Sequence, residues 1–181
     1  MTFWGSQILM IATLVSGLSA YAVKMDETTH DQVIGRLELG IESLDKDDNA
    51  LTGVQIRLAD LYADRARLKA MNEMATGCPT SGCVAARADR ERAIGLYKQA
   101  LPNVEKPAQG RTVLQIAHLH TLNDEFSKAV KLYQSIVNAP KNYSSEVRAL
   151  ANSSLGEIEF RKAEFKKALK FYEAARRENL K

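Results

Sequence analysis

The sequence contains few residues that interrupt a helix. Of its 181 residues, four are proline and ten are glycine, whereas alanine and leucine are abundant. Because proline and glycine are the least favourable residues inside a helix, their scarcity favours helices. No segment after residue 24 alternates apolar and polar side chains as a half-buried strand would. The predicted fold class is therefore all-α.

Residues that perform catalysis or hold metal ions are also scarce. The chain has two cysteines and three histidines, and it lacks a nucleophile elbow, a Walker loop, a dinucleotide fingerprint and an H-E-x-x-H motif. His118 and His120 stand two residues apart on a predicted helix, about 200° around it, so they do not face one ion together. We expect no enzyme activity, no cofactor and no metal site.

The first 23 residues carry no charged side chain. An apolar run at residues 8–15 precedes small residues at 16–20, and Ala20-Tyr21-Ala22 has the pattern of a signal-peptidase site. These features predict a signal peptide over residues 1–22, which would place the mature chain in the periplasm or outside the cell. Residues 2–23 are also long enough to span a bilayer, so an uncleaved anchor is one alternative and a buried helix is another. Membrane contact is expected only through an uncleaved N-terminus.

Charge is distributed unevenly along the chain. Residues 24–64 carry 4 basic and 10 acidic side chains, whereas residues 65–140 carry 11 basic and 6 acidic ones. Residues 141–181 carry 10 basic and 6 acidic side chains. An acidic end and a basic end suit head-to-tail contact, so a homo-oligomer is a possible assembly. The basic residues form no stripe with interleaved aromatics, and nucleic acid is not an expected partner.

An internal repeat is the strongest pattern in the sequence. Phe126, Ala129, Tyr133 and Ile136 recur 39 residues later as Phe165, Ala168, Tyr172 and Ala175. Ala93, Tyr97 and Ala100 lie 36 residues before Ala129, Tyr133 and Ile136. The spacing of three or four residues places each set on one helix face.

A second helix is predicted before each of these, with a small residue in its middle. Leu155 and Gly156 precede Phe165, and Ile116 and Ala117 precede Phe126 by the same interval. This order of residues resembles the tetratricopeptide repeat (TPR) family over residues 51–179. The resemblance implies about three units of antiparallel helix pairs in a right-handed solenoid. The first unit is degenerate, because an insertion stretches it and Arg90 replaces the expected aromatic residue.

A further helix is predicted before the repeats. Thr28-Thr29-His30-Asp31 looks like a capping box, and an apolar face follows it at Val33, Ile34, Leu37, Ile41 and Leu44. We interpret residues 23–49 as an N-terminal helix that caps the stack, because solenoids need covered ends. Residues 50–181 are then the repeat domain, with the insertion near residues 75–85.

Both cysteines, Cys78 and Cys83, fall in that insertion, in the sequence CPTSGC. In an exported chain they are expected to form a disulfide that fixes the insertion. A redox motif would have two intervening residues near a strand–helix unit, and here there are four in a helical setting. A zinc site would need four ligands, and no second Cys or His pair is suitably spaced.

The resemblance also implies a concave groove, lined by the first helix of each pair, for another protein or a peptide segment. Its exposed inward positions are Arg57, Asp60, Asp64, Gln115, His118, Thr121, Ser153, Glu157 and Phe160. His120, by contrast, falls at a core-facing position. The acidic residues among the groove positions favour a basic or amphipathic segment.

The sequence thus predicts a non-enzymatic protein-binding adaptor or assembly factor of a bacterial cell envelope. A self-associating structural subunit is an alternative, and a thiol-redox protein using Cys78 and Cys83 is a weaker one. Leu169 and Phe171, on the last predicted helix, are expected to form an uncovered apolar patch that docks another protein or a second copy.

Overall fold

The computed structural model describes residues 26–45, 48–78 and 83–179. The predicted signal peptide or anchor lies outside these residues. Every regular element within them is helical, which confirms the all-α prediction. The helices are α1 (Glu27–Glu42), α2 (Asn49–Ala75), α3 (Val84–Ala100), α4 (Lys106–Leu122), α5 (Phe126–Val137), α6 (Ser145–Arg161) and α7 (Phe165–Asn179), with a short 3-10 turn at Leu101–Asn103. No helix in the described ranges is both long enough and apolar enough to cross a membrane.

Helix α1 is capped by Asp26 and not by the predicted capping box. The carboxylate of Asp26 accepts a hydrogen bond from the backbone N–H of Thr29 at 2.8 Å, and this bond lowers the pKa of Asp26. The sequence placed the cap two residues late because Thr28 is also a good capping residue. The predicted apolar face of α1 packs against α2, with Ile34 buried and Val33, Leu37 and Ile41 half-buried.

The remaining helices form three hairpins. Helix α2 packs on α3, α4 on α5, and α6 on α7. Further contacts join α3 to α4, α5 to α6, and α4 to α6. Neighbours along the chain are therefore neighbours in space, and the first helices of the last two hairpins also touch.

The first helix of each hairpin ends in the same backbone turn. A residue past the helix end donates its N–H to the carbonyl five residues earlier: Cys78 to Glu73 at 3.1 Å, Glu125 to His120 at 2.9 Å, and Glu164 to Glu159 at 2.9 Å. The residue before each donor has a positive φ: 91° at Gly77, 57° at Asp124 and 59° at Ala163. This is the Schellman arrangement, which satisfies carbonyls at a helix end and favours glycine at the left-handed position.

Glycines allow close contact with tyrosine rings in the two later hairpins. A Cβ atom at Gly156 would stand 2.7 Å from Cε1 of Tyr172, so no larger residue fits there without movement of the ring. The sequence pattern predicted the small residue in the middle of this helix, and the structure identifies its partner as Tyr172. A Cβ atom at Gly110 would similarly stand 2.8 Å from Cδ1 of Tyr143, a contact that the repeat pattern did not indicate.

The buried side chains form two main apolar cores. The first lies among α1, α2, α3 and part of α4, and its most buried members include Leu58, Leu61, Tyr97 and Ile116. The second lies among α4 to α7, and its most buried members include Tyr133, Ile136, Leu155 and Ile158. Helix α4 contributes to both cores and so connects the two halves of the protein.

A buried carboxylate joins α2 to α3. Asp89, 5% exposed, accepts hydrogen bonds from Nε and Nη2 of Arg65 at 2.7 and 2.6 Å. Lys69 Nζ lies 3.0 Å from the same carboxylate, and Arg65 also reaches Asp31 of α1 at 2.6 Å. The Asp89 cluster, defined as Asp31, Arg65, Lys69 and Asp89, therefore links the first three helices. Its hydrogen bonds, those to Asp89 above all, raise the pKa of Arg65.

The predicted disulfide is not present in the structure. Cys78 and Cys83 are close together, but no S–S bond joins them. Instead, Cys83 is fully buried beside Ala70 and Ala86, and its Sγ lies 3.8 Å from the carbonyl oxygen of Cys78. The pKa of the Cys83 thiol is raised to about 11, first by its hydrogen bond with Cys78 and then by burial. The thiol packs as a small apolar side chain here, a role that spacing alone does not reveal.

Candidate binding groove

Two pockets lie along the first helices of the three hairpins. The α2–α4 pocket has a volume of about 320 Å³ and is lined by Ala63, Asp64, Arg67, Ala70, Arg90, Gln115, His118, Leu119 and Leu122. The α4–α6 pocket has a volume of about 270 Å³ and is lined by His118, Thr121, Leu122, Tyr133, Ser153, Ser154, Glu157 and Arg161. Because His118 and Leu122 line both, the pockets form one continuous groove along α2, α4 and α6.

The structure brings six of the nine predicted groove residues together. Asp64, Gln115 and His118 line the α2–α4 pocket, and His118, Thr121, Ser153 and Glu157 line the α4–α6 pocket. Their helical spacing places them on the side of each helix that faces the groove, as the repeat pattern predicted. Whether they bind a partner stays a prediction.

Three predicted residues do not line either pocket. Asp60 instead accepts a hydrogen bond from the Tyr97 hydroxyl at 2.5 Å. Burial first, and this bond next, raise the pKa of Tyr97, so its hydroxyl stays protonated. Arg57 is exposed on α2. Phe160 lies at the end of α6, where its ring packs edge-on against Phe165 with 5.4 Å between the ring centres.

Arg90 is the main groove residue that sequence reasoning missed. It is 2% exposed, and its Nη1 donates to the Leu122 carbonyl at 2.9 Å and to Oδ1 of Asn123 at 3.1 Å. These bonds join α3 to the end of α4. The sequence did contain a signal, because Arg90 replaces an aromatic residue of the repeat pattern. That departure was interpreted as degeneracy and not as a functional position.

The groove is less acidic than the sequence suggested. Asp60 is bound by Tyr97, and Glu157 lies 3.3 Å from Nε of Arg161 and 3.3 Å from the Tyr172 hydroxyl. In the described part of the chain, no ion pair involves Arg67 or Arg90. The α2–α4 pocket therefore combines two unpaired guanidinium groups with the carboxylate of Asp64.

Histidine occurs in two different settings on α4. His118 lines the groove, and desolvation together with the positive charge of Arg90 lowers the pKa of its ring. His120 is buried, as predicted, and its Nδ1 lies 2.5 Å from Oε2 of Glu125 in the turn before α5. The pKa of Glu125 is lowered, mostly by its hydrogen bond with Lys128 and next by its hydrogen bond with His120. His120 therefore stabilises the turn, whereas His118 is available to a ligand.

An exposed apolar patch lies where α6 meets α7, although its members differ from those expected. Phe171 is half-buried against the second core and does not form an open surface. Phe160, Phe165 and Leu169 are 53%, 59% and 58% exposed, and we call them the corner patch. The expected surface thus shifts toward the start of α7, because Phe171 faces α6 and the core.

Comparison with protein-family models, curated proteins and solved structures finds no match to this chain. Within the described residues, no group of three or more histidine, cysteine, aspartate or glutamate side chains is arranged to hold a metal ion. The geometry of the groove is therefore the basis for a functional proposal.

Proposed function

We propose that this chain is a TPR-like adaptor or assembly factor of a bacterial cell envelope that binds a segment of another protein. The single observation that carries the proposal is the continuity of the two pockets through His118 and Leu122. A groove along three successive first helices suits an extended or helical segment, because its subsites lie one after another. Binding requires no bond chemistry.

Several features support a right-handed TPR-like solenoid as the scaffold. The helix-ending turns at Asp124 and Ala163 have nearly equal φ values and lie 39 residues apart, which is the period of the sequence repeat. Gly156, the small residue in the middle of α6, lies close to Tyr172 of α7, which agrees with a small residue where two helices approach each other. Helix α1 covers one side of α2, in agreement with a cap on the stack. Export rests on the sequence of residues 1–22 alone.

Co-purification from chemically crosslinked envelopes tests the adaptor role. Ser153 is exposed in the α4–α6 pocket, so Ser153→Trp should fill that pocket and remove the captured partner. Ser127 is exposed on α5 and lines neither groove pocket, so Ser127→Trp is the matched control. Capture of the same partner by both variants at wild-type level would contradict binding in the groove.

The corner patch favours self-association as a second candidate function. Lys166 and Lys170 flank the patch in sequence, whereas α1 carries Glu27 and Glu42 and exposes 70% of Leu39. Opposite charges and an apolar side chain on each surface would suit head-to-tail contact between two copies.

Sedimentation over a range of protein concentrations tests self-association. Leu169→Glu should favour the monomer, while Leu150→Glu should not, because Leu150 is also exposed, at 48%, but lies elsewhere on α6. A wild-type chain that stays monomeric at every concentration would remove this candidate. The thiol-redox alternative is disfavoured, because a buried thiol with a raised pKa is a poor nucleophile.

A further inference from the structure

Arg90 is a buried cation held only by neutral groups. Its hydrogen bonds in the described part of the chain come from Nη1 alone, to a backbone carbonyl and to an amide oxygen. A guanidinium buried to this extent is normally paired with a carboxylate, because removal of its charge from water is costly. No ion pair within the described residues supplies that partner.

The other side-chain nitrogens of Arg90, Nε and Nη2, form no hydrogen bond within the described residues. Arg90 as a whole is 2% exposed, and it is one of the residues that line the α2–α4 pocket. Since Arg90 lines the α2–α4 pocket, that pocket is where a ligand would meet them.

The other residues that line the α2–α4 pocket indicate what kind of ligand fits it. Ala63, Ala70, Leu119 and Leu122 are apolar, and Arg67, Gln115 and His118 provide polar groups. A volume of about 320 Å³ is at the small end of ligand pockets, which suits a side chain and not a large ligand. Two arginines match a carboxylate well, whereas Asp64 would oppose the higher charge of a phosphate.

We infer that the α2–α4 pocket binds the carboxylate of an acidic residue that stands next to an aliphatic residue in the partner segment. This inference rests on the proposed function, and it names the chemistry of the segment. The carboxylate would pair with Arg90 and Arg67, and the aliphatic group would contact Leu119 and Leu122. An acidic and apolar segment replaces the basic segment that the groove sequence alone favoured.

Nuclear magnetic resonance titration of the full chain with hexanoate tests the pocket chemistry. Saturable shifts are expected at His118, Leu119 and Leu122. Hexanamide and hexylammonium have nearly the same apolar body, and each should bind at least about tenfold more weakly, because hexanamide is neutral and hexylammonium is a cation, so neither forms an ion pair with arginine. Equal binding of hexanoate and hexanamide, or no saturable shift at these residues, would overturn the inference.

Substitutions in the two pockets test which residues bind hexanoate. Arg67→Gln should weaken hexanoate binding about two- to fivefold, because Arg67 is exposed at the rim. Arg161→Gln, in the α4–α6 pocket, should leave it unchanged. Arg90→Lys should weaken it about tenfold where the variant folds. If the Arg90→Lys variant unfolds, the inference is tested by the Arg67→Gln variant and by the comparison of hexanoate with hexanamide. An unchanged hexanoate affinity in Arg67→Gln would then contradict the inference.

Binding of a capped dipeptide tests whether the ligand of the pocket is a protein segment or a free metabolite. N-acetyl-Glu-Leu-amide should bind the same residues at least as tightly as hexanoate, and its Gln-Leu counterpart should not. Binding of hexanoate without binding of the acidic dipeptide would overturn the peptide assignment. Loss of partner capture in Ser153→Trp reports on the other pocket, so failure of the proposed function and failure of this inference remain distinguishable.

Discussion

The first and last helix hairpins have the same outline but are held together by different interactions. Helices α2 and α3 share the buried Asp89 cluster, and a longer connection that contains Cys78 joins them. Helices α6 and α7 are joined by a three-residue turn and meet where the Tyr172 ring packs over Gly156. The last hairpin also contains an ion pair, in which Arg148 lies 2.5 Å from Glu178. The buried carboxylate with two cationic partners is therefore particular to the first hairpin, and the ring packed over a glycine is particular to the last. Arg90 belongs to the first hairpin, so the departure from the repeat pattern and the unusual groove chemistry coincide.

Removal of the Asp89 carboxylate should have the largest effect on stability. Asp89→Ala leaves Arg65 and Lys69 without their buried partner, and loss of one member of a buried ion pair costs about 3 kcal/mol. Urea denaturation of the variant measures the loss. Glu91→Ala is the control, because its pair with Arg87 is exposed and contributes about 0.5 kcal/mol or less. Similar losses in the two variants would mean that the first hairpin does not depend on the cluster.

The close contact at Gly156 should give the next largest effect. Gly156→Ala introduces a Cβ atom 2.7 Å from the Tyr172 ring, and the crowding should cost about 1–3 kcal/mol before a helix-propensity gain of about 1 kcal/mol. We therefore expect a small net destabilisation in thermal or urea unfolding.

Gly95, on α3, provides the matched control for this substitution. A Cβ atom there would meet no atom within 4 Å, so Gly95→Ala should stabilise the protein by about 0.5–1 kcal/mol. Opposite signs at Gly156 and Gly95 would confirm that the packing is tight at Gly156 and open at Gly95. Equal stabilisation by both would show that the Tyr172 ring moves aside at little cost.

Substitutions at the helix-ending turns of the first and last hairpins should change stability in opposite directions. Ala163 has a φ of 59°, where a side chain is strained by about 1 kcal/mol, so Ala163→Gly should stabilise the last hairpin by about 0.5–1 kcal/mol. Gly77→Ala, at a φ of 91°, should destabilise the first by a similar amount. Chemical denaturation measures both. Destabilisation by Ala163→Gly would mean that the left-handed conformation is not maintained in solution.

The sequence predicted the parts of the structure that follow from periodicity. Apolar spacing located the helices, and the repeat pattern predicted the small residue in the middle of α6, which the structure places against Tyr172. Helical spacing also placed six groove residues on one surface, because residues three and four apart share a face. These features depend on local geometry, which the sequence encodes directly.

Interactions between distant residues were not predictable in the same way. Arg65 and Asp89 are 24 residues apart, and nothing in the repeat pattern indicates that they meet. Cys78 and Cys83 do not form the predicted disulfide, and Cys83 packs instead beside Ala70 and Ala86, neighbours that the cysteine spacing does not indicate. The partners of the groove acids were not predictable either, since Asp60 accepts a hydrogen bond from Tyr97 and Glu157 pairs with Arg161.

The smallest expected effect concerns the proton equilibrium of His118. Desolvation in the groove and the charge of Arg90 both disfavour the protonated ring, so its pKa should lie below the value of about 6.5 found for an unperturbed histidine. The folded chain then binds fewer protons than the unfolded chain. The resulting stability is present above pH of about 6.5 and is lost as pH falls toward the folded pKa.

Ring signals of His118, followed by nuclear magnetic resonance in the folded chain and in urea, give the folded and unfolded pKa values of His118 directly. A folded value equal to or above the urea value would show that neither burial nor Arg90 acts on this ring. The same measurement at saturating hexanoate tests the contribution of Arg90. A bound anion offsets the charge of Arg90 and should raise the pKa of His118, whereas the neutral hexanamide should leave this pKa unchanged.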